Sequence, residues 1–98
     1  MTTDYLQPVK ERLAISFDHA DSDLLRLIGE AMNRITSWTS KKEYNINGET
    51  VADGLANSLI IEYVRYARSG AADMFRRNYL DLILNLQLEV AKNAAPTE

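Results

Sequence analysis

The stretch that decides the fold is Leu80-Asp81-Leu82-Ile83-Leu84-Asn85-Leu86-Gln87-Leu88-Glu89-Val90. Its even-numbered positions are all apolar, and Asp81, Asn85, Gln87 and Glu89 alternate with them, which is the period of a half-buried strand. The same stretch also carries a helical period, because Phe75, Tyr79, Leu82, Ile83, Leu86 and Val90 fall on one face. Residue type decides between the two. Leu, Gln and Glu favour helix intrinsically, and only Ile83 and Val90 are β-branched. An isolated strand would also find no pairing partner in this chain. Helix is therefore predicted from Ala71 to about Asn93.

That reading leaves apolar surface over. Leu80, Leu84 and Leu88 form an additional row beside Tyr79, Ile83, Leu86 and Val90. A small monomer buries one such face and seldom two, so the outer row is expected to meet another subunit or another protein, the alternative being a fully buried helix or the small residual patch that most monomers carry.

Upstream, Ser69-Gly70 punctuates the chain, and a helix is expected from Thr50 to about Arg68. Thr50-Val51-Ala52-Asp53 has the spacing of a capping box, with Asp in place of Glu or Gln. Leu55, Leu59, Tyr63 and Tyr66 make one row, and Ala56, Ile60, Val64 and Ala67 a second, which marks this helix as central to the core. Before it, Lys41 to Glu49 is a polar connection with a turn at Asn47-Gly48 and a brief extended piece at Tyr44 and Ile46. An earlier helix is capped by Asp21 or Ser22 and fades near Ser40. It turns Leu24, Ile28, Ala31, Ile35 and Trp38 to one side, and Glu30 and Arg34 stand in the favourable order for an ion pair. A short first helix is expected to start around Pro8 and run through Leu13. The fold class is thus all-α, a compact bundle of about four helices in a single domain over 1–98, with 94–98 a frayed tail.

Composition narrows the function. The 98 residues are 46% apolar and 26% charged, which suits one globular domain. Acids number 14 and bases 11, and the net charge of −3 is too mild to steer the chain onto nucleic acid or an anionic membrane. With no cysteine, disulfide scaffolds, thiolate metal sites and thiol catalysis are excluded. No run approaches the roughly 20 apolar residues of a membrane helix. Met1-Thr2-Thr3-Asp4 lacks the basic start of a signal peptide, so the expected location is the cytoplasm.

Candidate chemistry is sparse, and neither enzyme activity nor a cofactor is expected. Asp18, His19, Asp21 and Asp23 have the spacing of neither a calcium loop nor a two-His zinc site, so these acids read as helix-start residues. His19 is the only histidine and reads as a solvated turn residue. Arg65, Arg68, Arg76 and Arg77 are the one basic cluster, with Arg65 and Arg68 on one helical face. They read first as a solvated face or as intersubunit salt bridges to the surplus of acids, with Arg65 and Arg68 the alternative contact for a phosphate or an acidic partner, since arginine pairs bidentately with either. The long connection before the Thr50 helix argues against a helix-turn-helix reader of DNA. The aromatics Trp38, Tyr44, Tyr63, Tyr66, Phe75 and Tyr79 fall on apolar helical rows and read as core.

Taken together, these segments resemble a family. The passage from Leu13-Ala14-Ile15-Ser16-Phe17-Asp18 through Ala20-Asp21-Ser22-Asp23-Leu24-Leu25 to Ile28 resembles the small head–tail connector proteins of tailed bacteriophages, also called head-completion or adaptor proteins. Val64-Arg65-Tyr66-Ala67-Arg68, Met74-Phe75-Arg76-Arg77-Asn78-Tyr79 and Leu86-Gln87-Leu88-Glu89-Val90-Ala91 look like the later part of connectors from phages of Gram-positive hosts. The resemblance spans residues 5 to 92 and rests on apolar and acidic patterning, not on a catalytic signature. Gly70-Ala71-Ala72 departs from the family in being small and poorly capped.

The resemblance implies an α-helical subunit of a ring of about a dozen copies beneath the portal protein, a closed cyclic assembly. Such a ring extends the DNA channel, helps retain the packaged genome and offers a platform to the next tail-side connector or stopper protein. The implied partners are further copies of the chain, the portal, that tail component, and double-stranded DNA passing without sequence readout; no membrane is involved. The implied location is the head–tail junction of the virion, with host cytoplasm during assembly. Within this frame Leu80, Leu84 and Leu88 are the expected subunit contact, with Arg76 and Arg77 pairing to acids of the adjacent copy. Two other classes compete: a small helical nucleic-acid-binding regulator using the four arginines, and a dimeric partner-binding module.

Overall fold

A computed structural model describes residues 2–40 and 44–94. After a single 3₁₀ turn, Thr2–Tyr5, five helices follow: α1 Leu6–Arg12, α2 Asp21–Thr39, α3 Val51–Arg68, α4 Ala72–Asn78 and α5 Leu80–Ala94. No strand occurs among the described residues, so the deciding stretch is helix and the chain is all-α. Residues 95–98 of the expected tail lie outside the described residues.

Helix α3 is the hub. Ala52, Ala56, Leu59, Ile60, Ile61, Tyr63 and Val64 are buried on it, and α1, α2, α4 and α5 all pack against it. Helix α2 supplies Leu24, Leu27, Ile28, Ala31 and Ile35 to the same core, α4 supplies Phe75, and α5 supplies Ile83 and Leu86. The periodicity works because residues three and four apart share a helical face, and that face is removed from water at about 25 cal/mol per Å².

The helix ends show where side chains redirect the backbone. Helix α1 begins two residues before Pro8, which therefore sits in the first turn, where its missing N–H has no helical acceptor to satisfy. It ends in a Schellman motif: Ile15 N donates to Lys10 O at 2.8 Å and Ala14 N to Glu11 O at 3.3 Å. Ala14 pays for the turn with a left-handed backbone, φ 59°. Helix α3 ends the same way at Gly70, φ 75°, with Ala71 N donating to Tyr66 O at 2.9 Å. Ser69-Gly70 does break the chain, as its residue types predict.

Four expectations need correction. Neither Asp21 nor Ser22 caps α2; Ala20 holds the N-cap position without a side-chain bond. The reason is Lys10, whose buried ammonium lies 2.7 Å from Asp18 Oδ1 and 2.8 Å from Asp21 Oδ1 and draws both carboxylates to itself. Glu30 does not pair with Arg34. Instead Arg34 Nε donates to the Tyr63 hydroxyl at 3.0 Å, that hydroxyl donates to Glu30 at 3.0 Å, and Glu30 pairs with Arg26 at 3.2 Å. Tyr44 and Ile46 form no extended piece; Tyr44 is buried, and Gly48 N closes a turn on Asn45 O at 2.9 Å. Thr50 does cap α3, its side chain accepting from Asp53 N at 3.0 Å, while the Asp53 carboxylate accepts from Asn45 N at 3.1 Å. A Cβ on Gly48 would stand 1.9 Å from that carboxylate, so the turn requires glycine there.

The fourth correction bears on the site. The last segment is two helices, interrupted at Tyr79, φ −113° and ψ 20°. Neither Gly nor Pro causes the break. Phe75 stacks on Tyr79 at 4.8 Å and lies among Trp38, Tyr63 and Tyr66, and the Tyr79 hydroxyl donates to Glu62 on α3 at 3.1 Å. Anchoring both rings in this cluster holds Tyr79 off helical dihedrals.

Candidate functional site

The site is the outer face of α5 with the arginines that precede it. At 100° per residue, Ile83 and Leu86 turn toward α3, and Leu80, Leu84 and Leu88 turn away from them. Accordingly Ile83 and Leu86 are buried, whereas Leu80 is 38%, Leu84 47% and Leu88 68% exposed. These are three of the six large hydrophobic residues left exposed among the described residues, and they sit in one line one turn apart. The helix is fixed from its other sides: Gln87 Nε2 donates to Trp38 O at 2.9 Å, tying α5 to α2, and Tyr79 ties its start to α3. The row is thus presented on a rigid support.

Arg76 and Arg77 lie in the last turn of α4 and are exposed. Neither makes an ion pair with a described residue. Arg77 and Arg76 precede Leu80 by three and four residues, across the break at Tyr79. Asp81 follows Leu80 on the same outer side, exposed and likewise without an ion pair among the described residues. The face therefore reads as apolar, with the exposed charges of Arg76, Arg77 and Asp81 near its α4 end.

The four arginines do not form one cluster. The break at Gly70 separates Arg65 and Arg68 from the other two. Arg65 and Arg68 instead border a cleft with Arg12, from the end of α1, while Arg76 borders another with Arg34, Trp38 and Phe75. Arg65 is held by Glu62 at 3.1 Å, and Arg68 has no ion pair with a described residue. Arg12 was not singled out by sequence, since nothing in the linear chain relates it to Arg68; only the packing of α1 on α3 does.

The acidic turn is structural. Lys10 is 5% exposed, and its ammonium is raised above its ordinary value by the hydrogen bonds to Asp18 and Asp21. The same ammonium holds Asp18 below the usual carboxylate range. No group of His, Asp or Glu suited to a metal occurs among the described residues. His19 is exposed and stacks on Phe17 at 4.3 Å. Two phenols are strongly perturbed: burial first, then nearby carboxylates, pushes Tyr5 up to about 12, and burial followed by Glu62 does the same for Tyr79. The Tyr5 hydroxyl donates to Asn57 Oδ1 and lies 3.3 Å from Tyr44 O, joining the 3₁₀ turn to α3 and to the α2–α3 connection. No helix among the described residues is long and apolar enough to cross a membrane. Compared with family models, curated proteins and solved structures, the chain finds no match.

Proposed function

We propose that the chain is a structural subunit that assembles with copies of itself, in the manner of a phage head–tail connector: a ring of about a dozen copies under a portal, extending the DNA channel and receiving the next tail component. The observation that carries this reading is the leucine row. The core is complete without Leu80, Leu84 and Leu88, yet the helix that bears them is pinned at both flanks and presents them to the outside. Fully burying a leucine is worth about 1.5–3 kcal/mol, so covering half of each on a neighbour favours association by roughly 1 kcal/mol per side chain. Repeated at every junction of a closed ring, small terms of this size accumulate.

Electron microscopy of the purified chain, alone and mixed with its portal, tests the reading. Closed, uniform rings near a dozen copies are expected. A dimer that never grows and ignores the portal would discard it in favour of a partner-binding module. Binding to duplex DNA that weakens steeply with salt and vanishes on replacing Arg68 and Arg76 would instead favour a nucleic-acid-binding regulator.

A further inference from the structure

We infer that the cleft between the C-terminal ends of α1 and α3 is a contact for the phosphate backbone of duplex nucleic acid. The inference does not need the assembly reading above, because the cleft lies within one chain. Its volume is near 510 Å³; Arg12, Leu13 and Ala14 line it from the end of α1, and Arg65, Arg68 and Ser69 from the end of α3. Three arginines thus share one concavity that no carboxylate lines, in a chain whose net charge is −3.

The fold leaves these cations little to do within the chain. Helix-end carbonyls are the ordinary acceptors for a basic residue in a last turn. Here the Schellman motifs occupy them: Lys10 O, Glu11 O, Tyr66 O and Ala67 O accept backbone N–H groups, and Arg65 O accepts from the Ser69 hydroxyl at 3.1 Å. Arg12 and Arg68 are exposed and have neither an ion pair nor a side-chain hydrogen bond with a described residue. Arg65 is oriented by Glu62, which offsets one of the three charges, and Glu62 is itself held by the Tyr79 hydroxyl at 3.1 Å.

Charge alone does not choose the ligand, since arginine pairs bidentately with phosphate and with carboxylate. The rest of the lining does. A protein partner is held by an apolar core inside a polar rim. In this cleft only Leu13 and Ala14 are apolar, and Leu13 packs against the chain's own core. No aromatic ring lines it, so the bases of a single strand find no platform to stack on. Base edges in a duplex are read by an element lying in a groove, whereas these arginines stand at the ends of two different helices. Charge and N–H donors remain, which is what a duplex backbone takes. The chain's net charge opposes long-range steering, so the contact is local and involves few phosphates.

Fluorescence anisotropy of a labelled blunt-ended DNA duplex, titrated with the full chain at several salt concentrations, tests the inference. Affinity is expected to be indifferent to base sequence and to fall with salt at a log–log slope of about −2 to −3, since each neutralised phosphate contributes about −0.9. Arg12→Gln and Arg68→Gln should each weaken binding and reduce that slope by about 1. Both side chains are exposed, so both variants should melt with the native chain. Arg76 borders a different cleft, and Arg76→Gln should leave the affinity unchanged. Binding that Arg76→Gln removes, or that survives the double Arg12→Gln, Arg68→Gln variant, would overturn the inference. So would a preference for one base sequence, or no binding at low salt. A polyglutamate peptide that binds more tightly than the duplex, and is lost on the same two substitutions, would give the cleft to an acidic protein segment instead. Rings that form without DNA binding would discard this cleft and leave the assembly reading standing; DNA binding by a chain that never assembles would do the reverse.

Discussion

Ala14 and Gly70 occupy the same position in two Schellman motifs, and only one of them is a glycine. A non-glycine residue in the left-handed region costs roughly 1–2 kcal/mol, partly offset in a glycine variant by the greater freedom of the unfolded chain. Ala14→Gly is thus expected to stabilise the fold by about 0.5–1 kcal/mol, read as a higher urea midpoint at unchanged slope, and Gly70→Ala to destabilise it by about 1 kcal/mol. The titrating residues set a second expectation. Tyr5 and Tyr79 stay protonated to about 12 in the folded chain, against an unfolded value of 10.0. Between those values the native state holds more protons than the unfolded one, so the stability these two phenols contribute is fully present below pH 10 and is lost as pH rises toward 12. Lys10, also raised, adds to that alkaline loss, whereas Asp18, lowered by Lys10, costs stability as pH falls below its unfolded value of 3.8. Thermal melts from pH 3 to pH 12, with phenolate absorbance followed in parallel, check both limbs against these values. Little of this is visible in sequence. Lys10 looks like an ordinary solvated lysine until α1 folds against the acidic turn, and the acids that read as caps are its partners.

At the scale of elements, Phe75 is the joint. It is 1% exposed and touches rings from α2, α3 and the start of α5. Phe75→Ala is expected to cost about 3–5 kcal/mol, a large part of the 5–15 kcal/mol typical of a whole domain. Loss of near-ultraviolet dichroism and a lowered melting temperature would report it. The helices themselves were legible. Amphipathic spacing marked α2 and α3, and the helix preference of Leu, Gln and Glu overrode the alternation in 80–90. That alternation arose because α5 is apolar on two faces: superposing a core row on an outer row produces a two-residue period by coincidence. The interruption at Tyr79 was not legible, since no Gly or Pro marks it and its cause is an aromatic cluster assembled from distant segments. Likewise the split of the four arginines follows from the turn at Gly70, whose direction the local sequence does not encode.

For the whole molecule, the proposal is that folding finishes one core and leaves a second, smaller apolar surface for assembly. The row that sequence singled out is the exposed row of the fold. Leu84→Glu separates folding from assembly, because Leu84 is 47% exposed and contributes little to the core. The variant should keep its helical dichroism and its melting temperature. The most direct measurement is therefore the molar mass of the native chain and of Leu84→Glu by light scattering across a wide concentration range. The account predicts a large, uniform assembly for the native chain and a single-chain mass for the variant; equal masses for the two would contradict it.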